Sequence, residues 1–320
     1  MNDRELLLRL ARAPCSGSAL AREYGLTRAA VWKHIRSLRE AGVEILARPG
    51  AGYQLATPLD LLDAAQLRAA LPSEVGMEID ALEVAWDIDS TNAELLRRTA
   101  SIGVQVLLAE RQSAGRGRRG RAWASPLAAH VYLSLQRRFD GGVAALSGLS
   151  IAIGVAAAET LHALGFDEVG LKWPNDLVAA NRKLGGILIE FAGEDAGMVR
   201  VVIGIGINVR MPATAAQAID QPWIDLQQLR TEIPSRNALA AALIAAQIRA
   251  LDQFADAGLA PFLPRWRALD ALRNHAIDVV AGTQREPGVA LGIGDSGALR
   301  VRHADGEREY HSAEISVRPR

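Results

Sequence analysis

The chain has 320 residues, 49% apolar and 22% charged, with a formal net charge of zero. It is too long for one typical domain and too apolar for disorder, so two or three folded domains are expected. A single cysteine, Cys15, excludes an internal disulfide and a cysteine-built metal site, and fits a reducing compartment.

The opening MNDRELLLRLARAP threads charges through its leucines and lacks the apolar core of a signal peptide, so a cytoplasmic protein is expected. Leu6, Leu7 and Leu10 share a helical face that stops at Pro14. A second short helix over 16–26 closes at Gly25, and Thr27 caps a third that ends at Gly42. Val31, Ile35 and Leu38 face inward there, while Arg28, Trp32 and Arg36 form a separate row with Lys33 beside it. Two short strands about a Pro-Gly-Ala-Gly turn complete the outline of a winged helix-turn-helix over residues 1–60. Residues 1–57 carry nine Lys/Arg against five acids, which leaves +4 there and −4 on the rest. A basic head of this kind suits a polyanion.

A connector with one helix (57–72) leads to alternating helices and strands, a mixed α/β domain over 61–270. Ser90 caps a helix in STNAELLRRTA, and VGLKWPNDLVAA, GGILIEF and VRVVIGIGINV read as strands. The apolar run Leu146–Phe166, broken by Glu159 and His162, reads as a buried amphipathic helix and not a membrane span. Short strands and turns over 271–320 suggest a small β-barrel, so the class is α+β and multidomain.

SAGRGRRGRAW (113–123) sets Gly115, Gly117 and Gly120 among Arg116, Arg118, Arg119 and Arg121. Glycines let backbone amides approach an anion, and arginines supply charged forks. By itself the loop is equally a solvated basic patch or an RNA-binding segment. It does not match the phosphate loop that ends in Gly-Lys-Ser/Thr. KWPNDL aims Asn175 and Asp176 past a strand end. RKLGGILIE starts a strand with Lys183 at its mouth, and GIGINV sets Gly204 and Gly206 against the sheet with Asn208 beyond. Together these stretches outline a cavity of small residues with amide, carboxylate and ammonium groups at its rim.

The series DSTNAELL, GRGRRGRAW, KWPNDL, KLGGILIE and GIGINV resembles the successive signatures of biotin–protein ligases. QPWIDLQQL, GLAPFLPRWRALD and the closing AEISVR resemble that family too. With the N-terminal head, the whole chain is similar to the bifunctional bacterial form, which also represses biotin-synthesis genes. The resemblance implies a catalytic domain of the biotin/lipoate ligase type and an SH3-like C-terminal barrel. It also implies activation of biotin by ATP to biotinyl-5′-AMP, and transfer to a lysine of the carrier domain of acetyl-CoA carboxylase.

Site roles follow from the resemblance. Lys183 bridges carboxylate and phosphate, and Arg118 acts with it in catalysis. Ser90, Thr91, Asn92, Gln112, Gly115, Arg116, Gly117, Gly186, Gly204 and Gly206 surround biotin with those two residues. Arg118, Arg119, Arg121, Lys172, Asn175 and Asn208 hold the nucleotide, and Trp123 stacks on adenine. Asp176 is the candidate for Mg2+. Operator DNA would meet Arg28, Ala29, Trp32, Lys33 and, in the wing, Arg48; Trp32 departs from the small polar residue expected there. Segments 137–148 and 192–197 are expected in a ligand-promoted homodimer. Three alternatives stand beside this: a ligase whose head is only structural, a lipoate ligase, and a ligand-sensing repressor without catalysis.

Overall fold

The computed structural model describes residues 1–99, 101–195, 197–217, 219–281, 283–311 and 316–319. At the N-terminus lie α1 (Asp3–Arg12), α2 (Gly17–Glu23), α3 (Arg28–Glu40), β1 (Ile45–Arg48) and β2 (Gly52–Leu55). Asn2 and Glu5 form a reciprocal capping box on α1, and Thr27 Oγ1 accepts from Ala30 N to start α3. Leu6, Leu7, Leu10, Leu20, Val31, Ile35 and Leu38 form one buried cluster. The antiparallel β1–β2 wing closes this winged helix-turn-helix.

The larger unit contains α4 (Ala64–Ala70), α5 (Ser73–Glu78), β3 (Ile79–Ala85), α6 (Thr91–Arg97), β4 (Val104–Ala109), β5 (Val131–Asp140) and α7 (Leu149–Ala163). Next come β6 (Gly170–Lys172), β7 (Asp176–Ala179), β8 (Arg182–Asp195) and β9 (Met198–Ile207). Two single turns, α8 (Ala213–Ala216) and α9 (Leu226–Leu229), precede α10 (Arg236–Ala257) and α11 (Leu263–Leu269). Seven strands form one mixed sheet in the order β3-β4-β5-β9-β8-β7-β6, with β3–β4 its parallel pair. Helix α5 is an addition to the single connector helix expected from sequence. The KWPNDL stretch is two strands, β6 and β7, about a turn with a cis Trp173–Pro174 peptide, so Asp176 opens β7.

Helix α7 is buried almost all round and not along one stripe, because it lies between the sheet and α10. By length and apolarity Val143–Ala163 and Arg236–Ala257 could each cross a membrane; both are core helices here. On the other face α6 covers the sheet only around Leu107 and Val202, against Leu95.

Strands β10 (Ala276–Ala281), β11 (Gln284–Ile293), β12 (Leu299–His303), β13 (Gly306–Tyr310) and β14 (Ser316–Pro319) form an antiparallel sheet in the order β13-β12-β11-β10-β14. The arrangement is consistent with an SH3-like domain. Its core residues Ile277, Val279, Ala290 and Val301 are continuous with the central core. The first half of the AEISVR motif, residues 313–315, lies outside the described residues, and the rest falls in β14.

The head is joined to the body by more than its linker. Leu127, between β4 and β5, is buried in the head's apolar cluster beside Leu59 and Trp86. Leu127 N donates to Ala41 O at 2.7 Å, and a Cβ on Gly42 would meet Pro126 Cβ at 2.6 Å. Behind the linker, Arg236 and Glu110 form an almost fully buried ion pair at 2.7 Å. Both are tied to the linker, through Asp60 O and Leu62 N, and Arg236 also donates to His130 O.

Candidate active site

Alternation along three neighbouring strands builds the site's floor. On the face opposite α7, β5 presents Tyr132, Ser134 and Gln136, β9 presents Gly206, Gly204 and Val202, and β8 presents Gly186, Leu188 and Glu190. Gly186 and Gly206 are cross-strand partners, so two missing side chains lie side by side and leave a trough. A Cβ on Gly204 would overlap Asn92 Oδ1 and approach Asn92 Cγ to 2.9 Å. A Cβ on Gly206 would come within 2.7 Å of the Trp123 ring.

Two cavities join here. One, about 260 Å³, is lined by Ser90, Thr91, Asn92, Gln112, Arg116, Gly117, Arg118, Arg121, Trp123, Lys183, Gly186, Gly204 and Gly206. The other, about 510 Å³, is lined by Arg118, Arg119, Arg121, Lys172, Asn175, Asp176 and Lys183, with Leu272 from the turn before β10 and Val317 from β14. Arg118, Arg121, Asn175, Lys183, Asp220 and Gln221 border both. One cavity suits a small, largely apolar molecule, and the larger, cationic one suits a polyanion.

The Gly–Arg loop folds back on itself: Gly117 N donates to Arg121 O at 2.7 Å and Trp123 N to Gly115 O at 2.9 Å. Gly115 does not line a cavity; it lets Ser125 and Trp123 O come close, 2.6 and 2.8 Å from where its Cβ would be. Arg118 Nη1 donates to Asn175 Oδ1 at 3.3 Å, and Asn175 Nδ2 is fixed by Ile187 O at 2.7 Å. Burial, with Arg119 and Arg121 nearby, holds the Arg118 guanidinium below its ordinary value. Lys183 Nζ lies 2.6 Å from Asp176 Oδ1, and Lys172 Nζ 4.0 Å from Oδ2.

Ser90 accepts from Ala93 N as the cap of α6, while Thr91 N and Oγ1 donate to Gln112 Oε1 at 2.8 and 3.1 Å. Polar groups thus gather at the trough's closed end, and cations gather at its mouth.

The Biotin/lipoate A/B protein ligase family model matches residues 87–208, and an HTH domain model matches 4–54. The bifunctional ligase/repressor BirA of Escherichia coli (strain K12) is 42% identical over 304 residues, 95% of this chain and 92% of that one. The chain belongs to the bifunctional biotin ligase/repressor family. It is a biotin–protein ligase with an N-terminal helix-turn-helix repressor domain. Bacillus subtilis BirA is 30% identical over 94% of the chain and 93% of its own length. The biotin–[acetyl-CoA-carboxylase] ligase of Mycobacterium tuberculosis is 38% identical over 68% of the chain and 82% of its own. The same fold occurs in the Aquifex aeolicus biotin protein ligase in complex with biotin and ATP, with a TM-score of 0.65 at 23% identity, covering 75% of this chain and all of that one.

Several expected residues stand elsewhere in this ligase/repressor. Trp123 lines the smaller cavity and not the larger: its ring rests on Gly206 in the trough, with Lys183 Nζ 5.4 Å from the ring centroid and, among the described residues, no hydrogen-bond partner for its buried Nε1. Asn208 lines neither cavity, because Nδ2 bonds Ile224 O at 3.1 Å and ties that segment to β8. Asp176 is engaged by two lysines, and among the described residues no three His, Cys, Asp or Glu cluster to hold a metal. Sequence reading missed Tyr132, Ser134, Glu190, Asp220 and Gln221. The signal for Glu190 was its alternation with Gly186 and Leu188.

On the head, Arg28, Ala29, Trp32, Arg48, Ser16 and Tyr53 line one open concavity between α3 and the wing. Trp32 is half exposed, with the Arg36 guanidinium 5.7 Å above its ring.

Proposed function

We propose that the chain joins biotin to ATP as biotinyl-5′-AMP, then passes biotin to a lysine of a carboxyl carrier domain, that of acetyl-CoA carboxylase. The observation that carries this reading is the seam between the two cavities, where Lys183, Arg118 and Arg121 border both. Biotin's carboxylate must attack the α-phosphate of ATP there, and the bond from the α-phosphorus to the bridging oxygen breaks as pyrophosphate leaves. Two anions have to touch while negative charge grows on phosphorus, and preorganised cations lower that barrier. Lys183 bridges carboxylate and phosphate. Arg118, Arg119, Arg121, Lys172 and Asn175 hold the nucleotide. Ser90, Thr91 and Gln112 meet the ureido ring, with Arg116 and the amides near Gly117 above it and Gly186, Gly204 and Gly206 beneath. Magnesium would enter on the triphosphate with Asp176 as its protein carboxylate, a donor set that suits a metal held mainly by phosphate oxygens. The Gly–Arg loop shields the adenylate from water.

In the cytoplasm the head then reads the operator of biotin-synthesis genes through Arg28, Ala29, Trp32, Lys33 and Arg48, as a ligand-promoted homodimer. Exposed Val143 within 137–148, and exposed Phe191 just before 192–197, support these segments as the joining surface; residue 196 lies outside the described residues. The test is transfer of labelled biotin to a purified carrier domain with ATP and magnesium. Lys183→Ala should abolish biotin-dependent pyrophosphate exchange, and a parental exchange rate would remove Lys183 from this role. Sedimentation with and without biotinyl-AMP tests the dimer.

A further inference from the structure

Glu190 has no part in the chemistry above, yet it stands on β8 where the Gly–Arg loop meets the trough floor. Its largely buried carboxylate accepts two hydrogen bonds from opposite sides: Asn92 Nδ2 donates to Oε2 at 2.9 Å, and Arg116 Nη2 donates to Oε1 at 3.2 Å. Asn92 carries the chain onward beneath the trough. Its Oδ1 lies 2.6 Å from Ser134 Oγ, which lies 2.7 Å from Thr91 Oγ1. Thr91 donates to Gln112 Oε1, and Gln112 Nε2 donates to Ser125 Oγ at 3.3 Å. The series therefore begins at the loop's first arginine, crosses the trough floor and rejoins the loop beyond Trp123.

We infer that Glu190 is a positioning residue for biotin: it holds Arg116 above the trough and Asn92 below it. This rests on the reading of Arg116 as a biotin contact. A carboxylate accepts from both donors at once, whereas a glutamine of the same shape has one acceptor oxygen and turns an N–H toward the other donor. The buried Asn92 bond is costlier to lose than the half-exposed Arg116 bond, so Glu190→Gln should keep the first and release the second.

The test is pyrophosphate exchange by the full-length chain, with melting temperatures, for Glu190→Gln, Arg116→Ala and the double variant. Glu190→Gln is expected to raise the KM for biotin about fivefold, with kcat and the KM for ATP within about twofold of the parent. In the Arg116→Ala background the same change should add nothing, because Glu190 acts through Arg116. An unchanged or lowered KM for biotin in Glu190→Gln, or additive effects in the double variant, overturns the proposal. So does a melting temperature lowered by more than about 10 °C, which would make Glu190 a scaffold residue. If Arg116→Ala itself leaves biotin binding untouched, the reading of Arg116 fails instead.

Discussion

Gly204 and Gly206 are two residues apart on one strand and face the same way, yet an added methyl should do different harm at each. At Gly204 it would drive into Asn92, whose amide is held by Ser134, Leu188 O and Glu190. That amide cannot move without breaking about two buried hydrogen bonds, at roughly 1–3 kcal/mol each, so Gly204→Ala should cost about 2–6 kcal/mol. For a domain of this size the melting point should fall by roughly 5–20 °C. At Gly206 the methyl would meet the Cε2, Cζ2 and Nε1 side of the Trp123 ring, whose Nε1 has no hydrogen-bond partner to lose among the described residues. The indole can swing away, and stability should stay within about 1 kcal/mol of the parent. The methyl would still stand on the trough floor, where overpacking costs a seated ligand about 1–3 kcal/mol, so biotin should bind about 5- to 150-fold more weakly. Scanning calorimetry and biotin titration of both variants separate the two effects. The reasoning fails if Gly204→Ala melts with the parent, or if Gly206→Ala binds biotin as the parent does.

Other outcomes follow from the same geometry. Arg118→Gly should let biotinyl-AMP escape and label bystander lysines, which a blot for biotin on an added inert protein would detect; parental retention would count against shielding. Biotin that takes the trough should displace Trp123, so the fluorescence change on binding should shrink in Trp123→Phe. Arg236→Met leaves Glu110 buried without its partner and should cost about 3–5 kcal/mol in urea titrations. His130 is fully buried, and burial with Arg236 nearby pushes it down to about 3. The unfolded chain therefore takes up a proton that the folded one refuses, and stability should fall as pH drops from about 6.5 toward 3. The slope should be shallower in His130→Asn.

Local chemistry made much of this legible. Caps at Thr27 and Ser90, the leucines of α1 and the alternation along β9 each depend on neighbours a few residues away. What was hidden depends on register. Tyr132 and Ser134 enter the site because they oppose Gly206 and Gly204, some seventy residues on, a pairing that no local pattern encodes. Asn208 looked like a rim residue because it ends a strand, but Ile224 takes its amide. Trp123 misled for another reason: its resting place is cut by two glycines on strands far from it in sequence.

The seating of Leu127 among the head's apolar residues has a practical bearing on anyone who would divide this protein. A cut near residue 60 would bare Leu127 and Trp86 to water and strip Ala41 from the segment that follows the Gly–Arg loop. The shortened enzyme would carry a greasy scar a few residues from its Gly–Arg loop, so severing the repressor should also loosen the catalyst.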